Sequence, residues 1–234
     1  MSVPKVLSDA ELAHFSSIPW AKSILQTSLQ QQNHNGDYVA IDMPARTLKP
    51  PTDEDGYFGG TLATQQTIPY IVTLRRRNLE SISSLLPTEP PVIDATSKRA
   101  FTPSRPPDTI TLVSLSTPGL SGHTSTVHGG VVATLFDEAM YLAVDAYLSS
   151  SSSAHDHKIY TAQLNVRYRK PIHTPGLLVI WSWCVARAGR KTWTIAHAVQ
   201  EEEEHDGGHL EWVKTKTLRS EASSLWVATR DEKL

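Results

Sequence analysis

The sequence predicts an α+β domain in which an antiparallel sheet wraps one long central helix, with an N-terminal extension of helix and loop ahead of it. Three observations carry that expectation. Val132, Leu135, Phe136, Ala139, Ala143 and Tyr147 recur at three- and four-residue steps, the spacing of a helix with one buried face. The helix is entered through Gly129-Gly130, and no glycine or proline interrupts it from there to Tyr147. Four segments with strand patterning follow it and three precede it. A helix stripe and a sheet face each need an apolar partner, so the meander is expected to cover the helix.

At 234 residues and 39% hydrophobic, the chain is long enough for one domain with additions. Its 22 Lys and Arg against 24 Asp and Glu leave a formal charge of −2, which gives no electrostatic case for nucleic acid or an anionic membrane. A single cysteine, Cys184, excludes an internal disulfide framework and fits a reducing compartment. The segment from Met1 to Leu12 is polar, carries Asp9 and Glu11, and does not read as a secretory signal. No apolar run approaches transmembrane length. A soluble, cytoplasmic protein is expected. The end, Asp231-Glu232-Lys233-Leu234, is only loosely similar to receptor-read retention or peroxisomal tails.

Ser8 to Leu29 reads as helix. Ser8 is an N-cap candidate with Glu11 three residues on, the pattern of a capping box, and Leu12, Phe15, Ile24 and Leu25 are apolar positions. Pro19 divides the element into two short helices. The stretch from Gln30 to Gly56 reads as loop, with a short strand at Tyr38–Ile41. Ile68, Tyr70, Val72 and Leu74 alternate within Thr61 to Arg77, a half-buried strand. Glu80 to Pro107 is proline-rich and irregular. Asp108 to Ser116 is the strand that leads to the helix, through the glycine-rich connection Pro118 to His123.

Beyond the helix, Ser149 to Ser153 is a flexible polyserine loop. In Ile159 to Tyr168, Tyr160, Ala162, Leu164, Val166 and Tyr168 are expected on one face, and Thr161, Gln163, Asn165 and Arg167 on the other. Leu177 to Ala186 is nearly continuously apolar and reads as a central strand. Thr192 to Gln200 and Leu210 to Leu218 complete the set, and Ala188 to Lys191 is a tight hairpin turn. The divisions expected are an extension over 1–56, a domain over 57–220 and a tail over 221–234.

Chemistry is expected at the entrance of the central helix. Unpaired N–H groups there favour developing negative charge, such as an oxyanion. Asp137, about two and a half turns further on, falls at the edge of the apolar stripe, where a carboxylate is half buried beside a cleft. Glu138 diverges from it by about 100°, which argues against a shared-proton pair. His128-Gly129-Gly130, then six residues, then Asp137-Glu138, resembles the signature of hotdog-fold thioesterases of the phenylacetic-acid-pathway type. The run from Tyr160 to Pro171 resembles the strand that follows the helix in that family, and the likeness covers about residues 108–220.

The resemblance implies a hotdog fold and sites formed between subunits of a homodimer or a dimer of dimers. It implies that the Gly129 N–H polarises a thioester carbonyl, that Asp137 is a general base or nucleophile, and that Thr161 helps to hold the attacking water. Some relatives carry an Asn six residues before the histidine; here Gly122 takes that place, with His123 or Ser121 as substitutes.

Each candidate also has a plainer reading. Asp137 and Glu138 are otherwise helix-surface charges, Glu138 pairing with a basic neighbour; Gly129 and Gly130 are close-packing glycines, His128 a helix cap, and Thr161 an ordinary strand residue. Arg167, Arg169, Lys170, Arg187, Arg190 and Lys191 are expected on neighbouring strand ends, either meeting coenzyme A phosphates or solvated. His155-Asp156-His157 and Glu201 to His205 lie in low-complexity loops without further ligands, so neither metal nor cofactor is expected. A phosphate-cradling glycine loop and a Gly-x-Ser-x-Gly elbow are both missing from the sequence.

Three functions stay open. One is an acyl-thioester hydrolase acting on acyl-CoA or on carrier-bound acyl or polyketide thioesters. Another is a dehydratase, isomerase or cyclase acting on a biosynthetic thioester in the same site. The third is a non-catalytic acyl-binding dimer, against which Asp137 argues, because a pure binder gains nothing from a half-buried charge. Trp181, Trp183 and Trp193, with the long extension, point to a substrate larger than acetyl.

Overall fold

The computed structural model describes residues 4–29, 37–79, 85–94, 96–148, 157–202 and 215–230, the side chains of His157 and Arg230 excepted. The chain opens on α1 (Asp9–Ser16) and α2 (Pro19–Leu29), divided at Pro19. The Ser8 hydroxyl caps Glu11 N–H while the Glu11 carboxylate takes the Ser8 N–H at 2.9 Å, so the capping box is present. Then come β1 (Tyr38–Ile41), β2 (Ile71–Arg76) and β3 (Thr109–Leu115). The connection expected at Pro118 to His123 is partly a strand: β4 (Ser121–His123) pairs with β5 (Thr126–Val127) in a separate two-stranded ribbon. The long helix α3 (Gly129–Leu148) leads to β6 (His157–Tyr168), β7 (Gly176–Ala188), β8 (Lys191–Glu202) and β9 (Thr215–Arg230). Residues 30–36, 149–156 and 203–214, which include the polyserine tract and the first part of the strand expected from Leu210, lie outside the described residues.

The main sheet is antiparallel in the order β1-β2-β3-β7-β8-β9-β6, with β7 at its centre. Its inner face packs on α3, where all six periodic residues are buried in one cluster with Leu178, Ile180, Cys184, Ala196, Ala198 and Trp226. Its outer face, from β1 to β8, is covered by α1 and α2 through Phe15, Trp20, Ala21 and Leu25. Strand β3 is therefore buried on both sides at every position, which explains its unbroken run of apolar and Thr residues.

Two expectations about boundaries are corrected. Residues 221–230 are no tail but most of β9, paired with β6 as far as Arg230. Their period-2 pattern is real, and Ala222, Ser224, Trp226 and Ala228 are buried, yet small residues give it a weak hydrophobic signal. The extension shares its core with the rest of the chain. Ile41, Met43 and Ala45 pack into the cluster that holds α3, beside Phe58, Leu62 and Ile68 of the following segment. Arg46 gathers this segment by donating to the carbonyls of Phe58, Leu62 and Ile68 at 3.5, 3.3 and 2.8 Å, with its guanidinium 5.8 Å from the Phe58 ring centre.

Strand β6 ends the sheet, and its facing differs from the expected alternation. Between Thr161 and Gln163 its pairing with β9 shifts by one residue. Ahead of this bulge Ile159 and Thr161 face α3; beyond it Leu164, Val166 and Tyr168 do. Tyr160 and Ala162 are exposed instead. One inserted residue reverses the parity of everything on one side of it.

Candidate active site

The helix start is held from three directions. His128 N–H donates to the Leu120 carbonyl at 2.8 Å, seating the residue that precedes α3. The Gly130 N–H donates to His128 Nδ1 at 3.0 Å, and the Tyr168 hydroxyl donates to the Gly129 carbonyl at 2.8 Å. Gly129 N–H has no acceptor among the described residues. Gly122 packs against the histidine: a Cβ there would lie 3.0 Å from both Cα and Cδ2 of His128, so β4 can come this close only as glycine. Ser121 and His123, flanking it, are exposed.

Asp137 is half buried on α3, and the Thr161 hydroxyl of β6 donates to its Oδ1 at 2.8 Å. Burial pushes the Asp137 carboxyl above its ordinary value, and the Thr161 hydrogen bond pulls it back. The bulge in β6 makes this contact, since the unbroken alternation would put Thr161 on the outer face.

Glu138 departs from both plain readings. It is partly buried and makes no ion pair among the described residues. Burial first, then the charges of Asp137 and Asp55, push its carboxyl up to about 7. The extension contributes the smallest of these, the charge of Asp55. Lys49, the cation in that segment, is engaged by Glu54 and Asp55 at 2.6 Å each.

The basic residues do not form one patch. Arg167 and Arg169 share Glu221, Arg167 donates to the Ser97 carbonyl at 2.8 Å, and Lys170 pairs with Glu202 at 3.2 Å. Arg190 and Lys191 sit at the other end of the sheet: Arg167 aligns with Glu221 of β9 and Lys191 with Val227, six positions on. At ~3.3 Å per residue that is about 20 Å. Strand direction, not sequence distance, separates them.

Trp181, Trp183 and Trp193 all lie on the outer face of the sheet, away from α3. Trp181 packs in the cluster under α1 and α2, Trp183 meets His197 edge-on at 5.3 Å, and Trp193 lines a cleft beside Pro90 and Pro91. They do not wall the Asp137 site. A cavity of about 450 Å³ also opens on this outer face, between Phe101 and Ile93 above and Ile195, His197 and Glu221 below. Among the described residues no group of three His, Cys, Asp or Glu is placed to hold a metal ion. His155, Asp156 and Glu203 to His205 lie outside the described residues.

Of the residues that sequence reasoning brings out, the structure joins His128, Gly129 and Gly130 at the start of α3 and pairs Asp137 with Thr161 about 12 Å further along it. It misses Tyr168 as a partner of the helix start; the signal was present in Leu164 and Val166, which share its parity.

An antiparallel sheet wrapped around one long helix is the hotdog fold. Residues 124–207, the segment that holds β5 to β8, match the model of the thioesterase superfamily. Among solved structures, the chain is similar to a Bacillus halodurans protein crystallised with CoA, at 18% identity over 51% of this chain and 66% of that one, with a TM-score of 0.38. A thioesterase superfamily protein is 25% identical over 51% of this chain and 50% of its own, with a TM-score of 0.36. An acyl-CoA hydrolase mutant of Staphylococcus aureus is 16% identical over 49% and 62%, with a TM-score of 0.39. The chain thus spans less than two thirds of each of these three proteins. No curated protein matches it.

Proposed function

We propose that the chain hydrolyses acyl thioesters, of CoA or of an acyl carrier, to the free acid. The observation that carries this reading is Asp137: a half-buried carboxylate with one hydrogen-bond donor, nine residues after His128 and inside the segment that matches the thioesterase superfamily. Gly129 and Asp137 lie on one helix about 12 Å apart at 1.5 Å per residue, so the site needs two subunits, the Gly129 N–H of one and Asp137 of the other. That N–H, at the positive end of α3, receives the carbonyl oxygen and stabilises the charge that develops on it. Thr161 fixes Oδ1 and leaves Oδ2 of Asp137 to act. In one route Asp137 takes a proton from water as the hydroxide adds to the carbonyl carbon, and the thiolate then departs and recovers that proton. In the other Asp137 attacks the carbon itself, expels the thiolate, and water hydrolyses the acyl-aspartyl anhydride. Burial raises the basicity of Asp137 and serves the first route directly.

A second reading has an observation of its own. Glu138, poised at about 7, exchanges a proton near neutrality and beside Asp137 gives the acid and base that a dehydratase, isomerase or cyclase needs. Purified protein incubated with a panel of acyl-CoA and acyl-carrier thioesters, with products identified by mass, separates the readings. Free acid supports hydrolysis; a dehydrated or rearranged thioester replaces it with the second reading. No turnover across the panel leaves the acyl-binding dimer.

Assembly follows from the sheet edges. The edge at β1 is bridged by the Pro4–Lys5 segment, whereas β6 has a long free edge among the described residues. Pairing of two β6 strands closes that edge and sets Thr161 and Tyr168 of both subunits at the interface, as the family resemblance implies. Sedimentation at micromolar concentration is expected to give a dimer; a monomer with full activity overturns this.

A further inference from the structure

The start of α3 is made of two consecutive glycines, the residue with the most backbone freedom to lose on folding. A donor that polarises a carbonyl works only when it is held in place beforehand. Two side chains from different elements supply the rigidity that the glycines lack. Tyr168 donates to the Gly129 carbonyl at 2.8 Å, and its ring stands 3.5 Å from where a Gly129 Cβ would be. His128 Nδ1 accepts the Gly130 N–H at 3.0 Å. That carbonyl and that N–H belong to the same peptide, which is therefore gripped at both ends.

The grip has two chemical consequences. The N–H of the preceding peptide, on Gly129, remains without an acceptor among the described residues. A neutral imidazole that accepts on Nδ1 carries its proton on Nε2, so the exposed His128 ring has an N–H of its own to donate. Tyr168 reaches this place only because of the bulge. Thr161 and Tyr168 are an odd number of residues apart, and both face α3 because the pairing shifts between Thr161 and Gln163.

We propose that Tyr168 is a positioning residue, which through the Gly129–Gly130 peptide holds the Gly129 N–H and His128 Nε2–H as paired donors for the substrate's carbonyl oxygen. The kinetic arm of the test rests on the hydrolase reading; the structural arm does not. Tyr168→Phe keeps the ring and removes only the hydroxyl, so the variant should unfold at the wild-type temperature to within a few degrees. Nitrogen-15 spectra of histidine-labelled protein, with His128 assigned by its loss in His128→Gln, read the tautomer directly. The wild type should show the Nε2–H form, and Tyr168→Phe a mixture of both. On a thioester that the chain turns over, kcat should fall roughly 2- to 10-fold at constant KM, the rate equivalent of one neutral hydrogen bond used in the transition state. A wild-type His128 protonated on Nδ1 overturns the proposal, and so does a Tyr168→Phe protein with unchanged tautomer and unchanged kcat. If no thioester is hydrolysed, the hydrolase reading fails by itself and the tautomer comparison still decides: a shift supports the brace and an identical spectrum overturns it.

Discussion

Asp108, at the foot of β3, and Asp137, midway along α3, differ in how many donors meet their oxygens. Asp108 is fully buried, and its carboxylate is filled. Arg105 grips both oxygens, the Cys184 N–H donates to Oδ2 at 2.7 Å, and the Tyr147 hydroxyl from the last turn of α3 reaches the same group. Burial pushes this carboxyl up, and Arg105, the Cys184 N–H and Tyr147 pull it back. Asp137 is half buried, has Thr161 alone, and meets no cation among the described residues. A filled carboxylate ties β3, β7 and the end of α3 together and has nothing left to offer a substrate. An underfilled one keeps a free oxygen, which is what a general base requires.

The largest effect that tests this contrast is on rate. Asp137→Asn keeps the shape and the Thr161 contact but removes the base, so kcat should drop by about 10² to 10⁴ with substrate still bound and the unfolding temperature nearly unchanged. Glu138→Gln is the control, and its rate loss should be much smaller. Its signature is in stability instead. The Glu138 carboxyl is pushed up to about 7, so the folded chain keeps this proton to higher pH than the unfolded chain does. That costs stability progressively as pH rises from the ordinary carboxylate value to about 7, and fully above it. The variant should therefore melt higher than wild type at pH 8 and equally at pH 4. Equal, mild rate losses at both positions would sink the assignment of Asp137 and move weight to His128 or Thr161.

Asp108→Asn should do the reverse. It leaves Arg105, partly buried, without its counter-charge, a loss on the order of 3 kcal/mol. For a chain of this size that is roughly 6–12 °C in Tm. The kcat of the folded protein should be unaffected. A thermal scan and an assay below the transition measure both. A full-strength Tm with lost activity would mean that the filled site is functional after all.

The sequence shows α3 and its glycine start clearly, because a one-sided stripe of Val132, Leu135, Phe136, Ala139, Ala143 and Tyr147 is a local signal. Asp137 is placed correctly at the edge of that stripe for the same reason. What stays hidden depends on long-range register. The bulge at Thr161 to Gln163 adds one residue with no compositional mark, yet it decides that Thr161 and Tyr168, not Tyr160 and Ala162, face the helix. The basic residues look like neighbours until the antiparallel order puts Arg167 and Lys191 at opposite ends of β9. Glu138 looks like surface until Arg46 folds a distant segment over α3 and delivers Asp55. The last half of β9 is hidden by chemistry rather than distance, since Ala222 and Ser224 are too small to register as a hydrophobic face.

The smallest effect is the one that ties the bulge to the chemistry. Thr161→Val keeps a β-branched residue of similar shape in the strand and removes one hydroxyl. That hydroxyl stabilises the ionised form of Asp137, so its removal should raise the carboxyl further, the same direction in which burial already pushes it. The ascending limb of kcat/KM against pH should then move to higher pH, because more of Asp137 is protonated at any given acid pH. On the plateau the cost should be roughly 2- to 10-fold in kcat, the value of one neutral hydrogen bond that orients the base. Thr161→Ser, which restores the hydroxyl, should return the limb to its wild-type position. A limb that stays in place in Thr161→Val, with kcat unchanged, would show that the contact at 2.8 Å is incidental. Asp137 would then owe its reactivity to burial alone, and the bulge would serve only the Tyr168 end of β6.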